Sequence, residues 1–167
     1  HLTVEYILSF PQPFDTAKLP ENMKPFSSYN DTGEKKFIDL INPEISFDFL
    51  GGIFLSVFRR QNWIDNVNVL DEAALSDSKS FSHFDNTFPH IKIFSKAFSK
   101  SKAYFNAEPL SVCLSGARDW APMYRFIRLV RLIEALKEYK KNGLSYFKYI
   151  KYKNYALKSF VSDFYTI

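Results

Sequence analysis

Eighteen phenylalanines and ten tyrosines in 167 residues constrain this chain more than any other feature. Rings at that density must enter a core, a ligand cleft or a membrane interface, because each carries a large apolar area. With 46 % hydrophobic and 24 % charged residues, the chain is set to fold and not to stay disordered. Its length suits one domain, or one large piece of a bigger one. A single cysteine excludes a disulfide framework and a cysteine-based zinc site. Cys113, flanked by Val112 and Leu114, reads as a buried, inert thiol.

The chain opens on His1 and shows no charged segment leading into an apolar one. No signal peptide is expected, and the start suggests a piece of a longer protein. The longest apolar stretch, Phe47 to Phe58, is broken by Asp48, Gly51, Gly52 and Ser56. It falls short of the roughly 18 apolar residues that a spanning helix needs.

Charge is uneven. From Ala117 to Ile167 there are eleven Lys/Arg and four Asp/Glu, so this third carries +7 of a chain whose net charge is +4. A basic, aromatic-rich end points to an anionic surface such as phosphates, lipid headgroups or nucleic acid; the plain alternative is a solvated helix face.

Alternation of Leu2, Val4, Tyr6 and Leu8 predicts a strand, ended by Pro11 and Pro13. Residues 11–33 hold four of the eight prolines and read as a long irregular segment. A short helix is expected over Gly33–Ile41, and a buried strand over Phe49–Arg59. Asn62 is expected to cap a short helix through Trp63 and Ile64, and one helical turn to fall at Asp71–Leu75. Pro89 suits the first turn of a helix running to about Lys100, with Ile91, Phe94, Ala97 and Phe98 as its stripe. Ala103–Ser115 reads as a strand interrupted at Pro109. Two helices follow, from Pro122 to Asn142-Gly143 and from Leu144 to Tyr165.

Three constellations could carry chemistry. In Ser82-His83-Phe84-Asp85-Asn86-Thr87-Phe88-Pro89-His90, Asp85 is a helix cap, a general base beside His83 and His90, or one ligand of a metal set. In Gly116-Ala117-Arg118-Asp119-Trp120, Arg118 can pair with a phosphate and Trp120 can stack on a sugar or a base. The alternative is a surface Arg–Asp pair with Trp120 plugging the core. Arg125, Arg128 and Arg131 recur at spacing three and could follow phosphates, although no nucleic-acid motif surrounds them and nucleic acid is the weaker partner.

The stretches FLGGIFLSVFRRQNW (Phe49–Trp63) and FDNTFPHIKIFSKAFSKSKAYFNAEPLSVCLSGARDW (Phe84–Trp120) resemble the C-terminal half of bacterial family 2 glycosyltransferases of the abequosyltransferase-like group. The shared pattern is an apolar strand ending in a basic residue and a Trp, then an Asp-containing segment, a helix start like Phe-Pro-His-Ile and a strand with a Pro-Leu pair. An Arg- and Trp-containing turn then leads into C-terminal helices.

This resemblance implies a mixed α/β fold: a partial GT-A-like sheet with flanking helices over residues 1–120, and a basic two-helix extension over 121–167. It implies an inverting transfer of a sugar from a nucleotide sugar to a glycan or lipid-linked acceptor in O-antigen or capsule assembly. A divalent Mn or Mg would steady the leaving diphosphate of the complete enzyme. Asp85 would stand at the catalytic base, and His83, His90, Arg118, Asp119 and Trp120 near the substrate. Arg125, Arg128, Arg131, Lys148 and Lys151 would meet phosphate or the inner face of a membrane, the enzyme being otherwise cytoplasmic. The Asp-x-Asp metal motif of the family's N-terminal half does not occur here. A piece lacking that half would expose apolar surface and self-associate. The competing reading is a non-catalytic module that binds a membrane or a partner.

Overall fold

The computed structural model describes residues 2–6, 24–25, 31–43, 53, 56–79, 81–114, 123–158 and 160–161. Three strands, β1 (Leu2–Tyr6), β2 (Lys24–Pro25) and β5 (Pro109–Leu114), form one sheet in the order β2-β1-β5. β1 runs antiparallel to β2 and parallel to β5, with Thr3 opposite Ser111 and Tyr6 opposite Leu114. Parallel neighbours need a crossover, so the segments between β1 and β5 form that connection. A second sheet pairs β3 (Gly33–Lys36) with β4 (Lys102–Phe105), antiparallel, from Gly33 opposite Phe105 to Lys36 opposite Lys102. The architecture is therefore mixed and rich in helix.

Short helices α1 (Phe37–Leu40), α2 (Arg60–Ile64), α3 (Glu72–Leu75) and α4 (Phe84–Thr87) lead into α5 (Pro89–Phe98). Long helices α6 (Tyr124–Lys141) and α7 (Tyr146–Ala156) follow β5. Gly143 has φ +123°, a conformation that suits a residue without Cβ, and the turn is closed by Leu144 N–H on the Tyr139 carbonyl at 2.9 Å. Asn142 Nδ2 donates to Ser95 Oγ at 3.1 Å and to the Glu138 carbonyl at 3.0 Å, tying the end of α6 to α5.

The main core joins α5, α6 and α7. Leu132, Ala135, Leu136 and Tyr139 recur at helical spacing on α6. They pack with Ile91 of α5, Ile41 after α1, and Leu144, Tyr149 and Tyr152 of the α7 side. Each fully buried aliphatic side chain here stabilises by about 1.5–3 kcal/mol. The packing thus runs across residue 120, where the sequence suggested a division. A second apolar group is a chain of rings. Phe58 stacks on Trp63 at 5.7 Å and meets Phe94 edge-on at 4.9 Å; Phe94 meets Phe98 at 5.4 Å, and Phe37 meets Phe98 at 5.8 Å.

Several expectations need correction. Residues 33–36 form strand and not helix, because β4 supplies a pairing edge that a local reading cannot see. Of the strand expected over Phe49–Arg59, Ile53 lies in a helical turn, and Ser56–Arg59 join no ladder; Val57 is 85 % exposed. The remaining residues of that span lie outside the described ones. α2 begins at Arg60 without a side-chain cap, so Asn62 is inside it. The strand expected over 103–115 with an interruption at Pro109 is two strands in different sheets, β4 ending at Phe105 and β5 opening at Pro109. α7 ends at Ala156 in a turn over Leu157 and Lys158; Phe160 and Val161 are again helical, and the rest of the span expected to reach Tyr165 lies outside the described residues.

Candidate functional site

The segment from Asp71 to His90 is knotted by side-chain bonds. Asp71 caps α3, its carboxylate accepting from Ala73 N–H at 2.9 Å and Ala74 N–H at 3.3 Å. Its own N–H donates to Asp85 Oδ2 at 2.7 Å. Asp85 is therefore not a cap: His83 holds the N-cap position of α4, and Asn86 Oδ1 accepts from His83 N–H at 3.2 Å. Asp85 is 3 % exposed. A buried carboxylate requires a cation or several donors, and Lys92 provides the cation, with Nζ at 2.6 Å from Oδ1 and 2.7 Å from Oδ2.

Lys92 is one turn into α5 and faces two ways. Its ammonium pairs with Asp85, while its side chain also lines a polar cavity of about 250 Å³ with Lys96, Lys141, Glu138 and Asn142. Lys141 is paired with Glu138 at 2.6 Å. Among the described residues, Lys96 has no carboxylate partner, so the cavity carries a cation free to meet an anion.

The loop ahead of α4 is equally bound. Asp77 Oδ1 accepts from Lys79 N–H at 2.9 Å, and Oδ2 accepts from Ser82 Oγ at 2.7 Å, with His83 Nε2 3.3 Å away. The Lys79 N–H first, and then the Ser82 hydroxyl, hold the Asp77 carboxyl below its ordinary pKa. Asn86 Nδ2 donates to the Lys79 carbonyl at 3.0 Å and to Ser82 Oγ at 2.9 Å.

Phe81 has φ +64°, a left-handed conformation that costs a bulky residue about 1–2 kcal/mol. Arg131 of α6 holds that turn. Its guanidinium donates to the Phe81 carbonyl at 2.9 Å and the Ser82 carbonyl at 2.8 Å, and pairs with Glu134 at 2.6 Å. Arg131 is 8 % exposed. It is spent inside the protein, which corrects its expected place on a phosphate- or membrane-facing surface.

The other expected site residues are scattered. His83 is exposed beside Asp77. His90 is buried, edge-on to Phe88 at 6.0 Å and Phe94 at 5.6 Å. Two residues along a helix turn through about 200°, so His90 faces away from Lys92 and the carboxylate it holds. Lys148 pairs with Asp39, and Lys151 is exposed on α7. Arg118, Asp119 and Trp120 lie outside the described residues; Arg125 and Arg128 are placed in α6, and their side chains are not described. Among the described residues, no three His, Cys, Asp or Glu side chains converge as a metal set. No described helix is long and apolar enough to cross a membrane.

A larger cleft of about 730 Å³ lies between β4, α5 and the 56–62 segment. Phe58, Phe94, Phe98 and Tyr104 line it, with Arg59 and Asn62 as polar groups. Sequence reasoning missed this cleft, because Tyr104 comes from a strand whose pairing it did not foresee. It also missed Lys92 and Asp71 as the partners of Asp85. Lys92 is seven residues on, across a helix break at Phe88, and nothing in the local pattern marks it. Comparisons with protein-family models, with curated proteins and with solved structures found no match for this chain.

Proposed function

We propose that this chain is the acceptor-side portion of a sugar transferase, with Asp85 as its base and a phosphate-bearing acceptor. The observation that carries the reading is Lys92, which links the buried Asp85 carboxylate to a lysine-lined cavity. The resemblance of Phe84–Trp120 to the glycosyltransferase pattern supports it, and so does the strained, over-determined turn at Phe81 just ahead of that motif.

In this mechanism an anionic group of the acceptor enters the cavity and draws Lys92 toward itself. That frees an oxygen of Asp85. The acceptor hydroxyl gives its proton to this oxygen as its own oxygen bonds to the anomeric carbon of the donor sugar. The bond from that carbon to the nucleoside diphosphate breaks, and the diphosphate leaves with the electron pair, inverting the centre. The aromatic cleft offers ring faces for sugar units of the acceptor.

The test is Asp85→Asn in the full translated product of the gene, given a nucleotide sugar with Mn²⁺ or Mg²⁺. Transfer is expected to vanish while nucleotide-sugar binding persists. Wild-type turnover would remove Asp85 from the chemistry. A second reading, a non-catalytic binding module, is favoured by the engagement of both Asp85 oxygens with Lys92 and Asp71 N–H. On that reading Asp85→Asn lowers stability, and no transfer is detectable in the unsubstituted protein either.

A further inference from the structure

We propose that the N-terminal end of α7, with the lysines around it, docks on an anionic lipid bilayer. The proposal rests on this surface alone and not on the transferase reading. Phe147 is 86 % exposed and Tyr146 60 % exposed, and their rings meet edge-on at 6.3 Å. Two adjacent rings so prominent leave a large apolar area in water, which marks an interaction site. From Tyr139 to Lys158 the chain has six lysines and no Asp or Glu. Lys141 and Lys148 are paired with Glu138 and Asp39, so the surplus positive charge lies with Lys140, Lys151, Lys153 and Lys158.

Phe147, Lys151, Asn154 and Lys158 follow one another at steps of four, three and four, so they form one line along α7 and just past its end. All four are exposed. The opposite face, Tyr149, Tyr152 and Ala156, is buried in the core. Beside the rings, the Lys140 ammonium lies 5.2 Å over Tyr146 and 4.9 Å over Tyr149, adding positive charge at the tip.

An apolar tip with a cationic line matches the two layers of a bilayer surface: rings enter the acyl boundary and ammonium groups stay among anionic headgroups. Single-stranded nucleic acid also takes aromatic and basic groups, but along a groove that tracks its backbone. Tyr146 and Phe147 line neither the aromatic cleft nor the lysine-lined cavity. The rings project from a helix end, which suits a broad planar partner.

The experiment is flotation of the chain with vesicles of phosphatidylcholine alone and of phosphatidylcholine mixed with phosphatidylglycerol. Recovery is expected with the mixed vesicles only. Lys151→Gln and Lys158→Gln should each weaken binding about fivefold, and Phe147→Ser about tenfold or more. Circular dichroism checks that each variant keeps the fold. Equal recovery with both vesicle types, or unchanged recovery of Phe147→Ser, would overturn the proposal. So would binding to RNA or to a protein partner with no recovery on either vesicle.

Discussion

Replacing Arg131 with methionine keeps the aliphatic bulk of the side chain and removes its guanidinium. The Phe81 and Ser82 carbonyls then lose donors at 2.9 and 2.8 Å, while Glu134, about one-third exposed, can turn to water. Each bond to a charged donor contributes about 1.5 kcal/mol, so the two carbonyls set a loss of about 3 kcal/mol. Breaking a buried charge network falls in the same range, about 3–5 kcal/mol. In a chain of this size that lowers Tm by about 6–12 °C. Urea unfolding measures the free energy, and limited proteolysis reports whether the turn at 77–83 opens first. Arg131→Lys should recover about half the loss, because one ammonium cannot span both carbonyls in the guanidinium's fixed fork. A loss under about 1 kcal/mol for Arg131→Met, with the turn still protected, would refute the clamp.

Two further outcomes are expected. The Tyr139 hydroxyl is buried with no hydrogen-bond partner among the described residues, and burial pushes its ionisation well above the ordinary range. Tyr139→Phe should stabilise by about 1 kcal/mol. It should also remove part of the alkaline loss: the unfolded chain ionises Tyr139 from about pH 10 while the fold resists it, so stability falls as pH rises beyond that point. An unchanged urea midpoint and an unchanged alkaline limb would refute this. Asp77 has the opposite sign. Its depressed pKa gives stability above the unfolded value of about 4, which is lost as pH falls through the folded value. Asp77→Asn should flatten the acid limb of the stability profile, and an acid limb as steep as the parent's would show that Asp77 is uninvolved.

The helical part of the fold was legible because its signals are local. Pro89 opens α5, Asn142-Gly143 ends α6, and the stripe on each helix recurs at three or four residues. β3 was illegible: Gly33-Glu34-Lys35-Lys36 has no strand alternation, and only its partner 66 to 72 residues away makes it a strand. At the candidate site the motif around Asp85 stood out, but its engagement did not. Asp71 and Lys92 reach it from both sides, and neither spacing is a recognised signature. Arg131 shows a different limit. Steps of three residues fall about 60° short of a full turn, so two steps from Arg125 rotate Arg131 well around α6, toward the buried face of Leu132 and Ala135.

The parallel pairing of β1 with β5 also bears on how the chain is made. Residues 2–6 acquire that neighbour only after residues 109–114 have been synthesised. At 5–20 residues per second, β1 waits roughly 5–20 s on the ribosome. Through that interval one edge of it has no partner, so nascent chains stalled before residue 109 should be the ones that chaperones hold and that aggregate first.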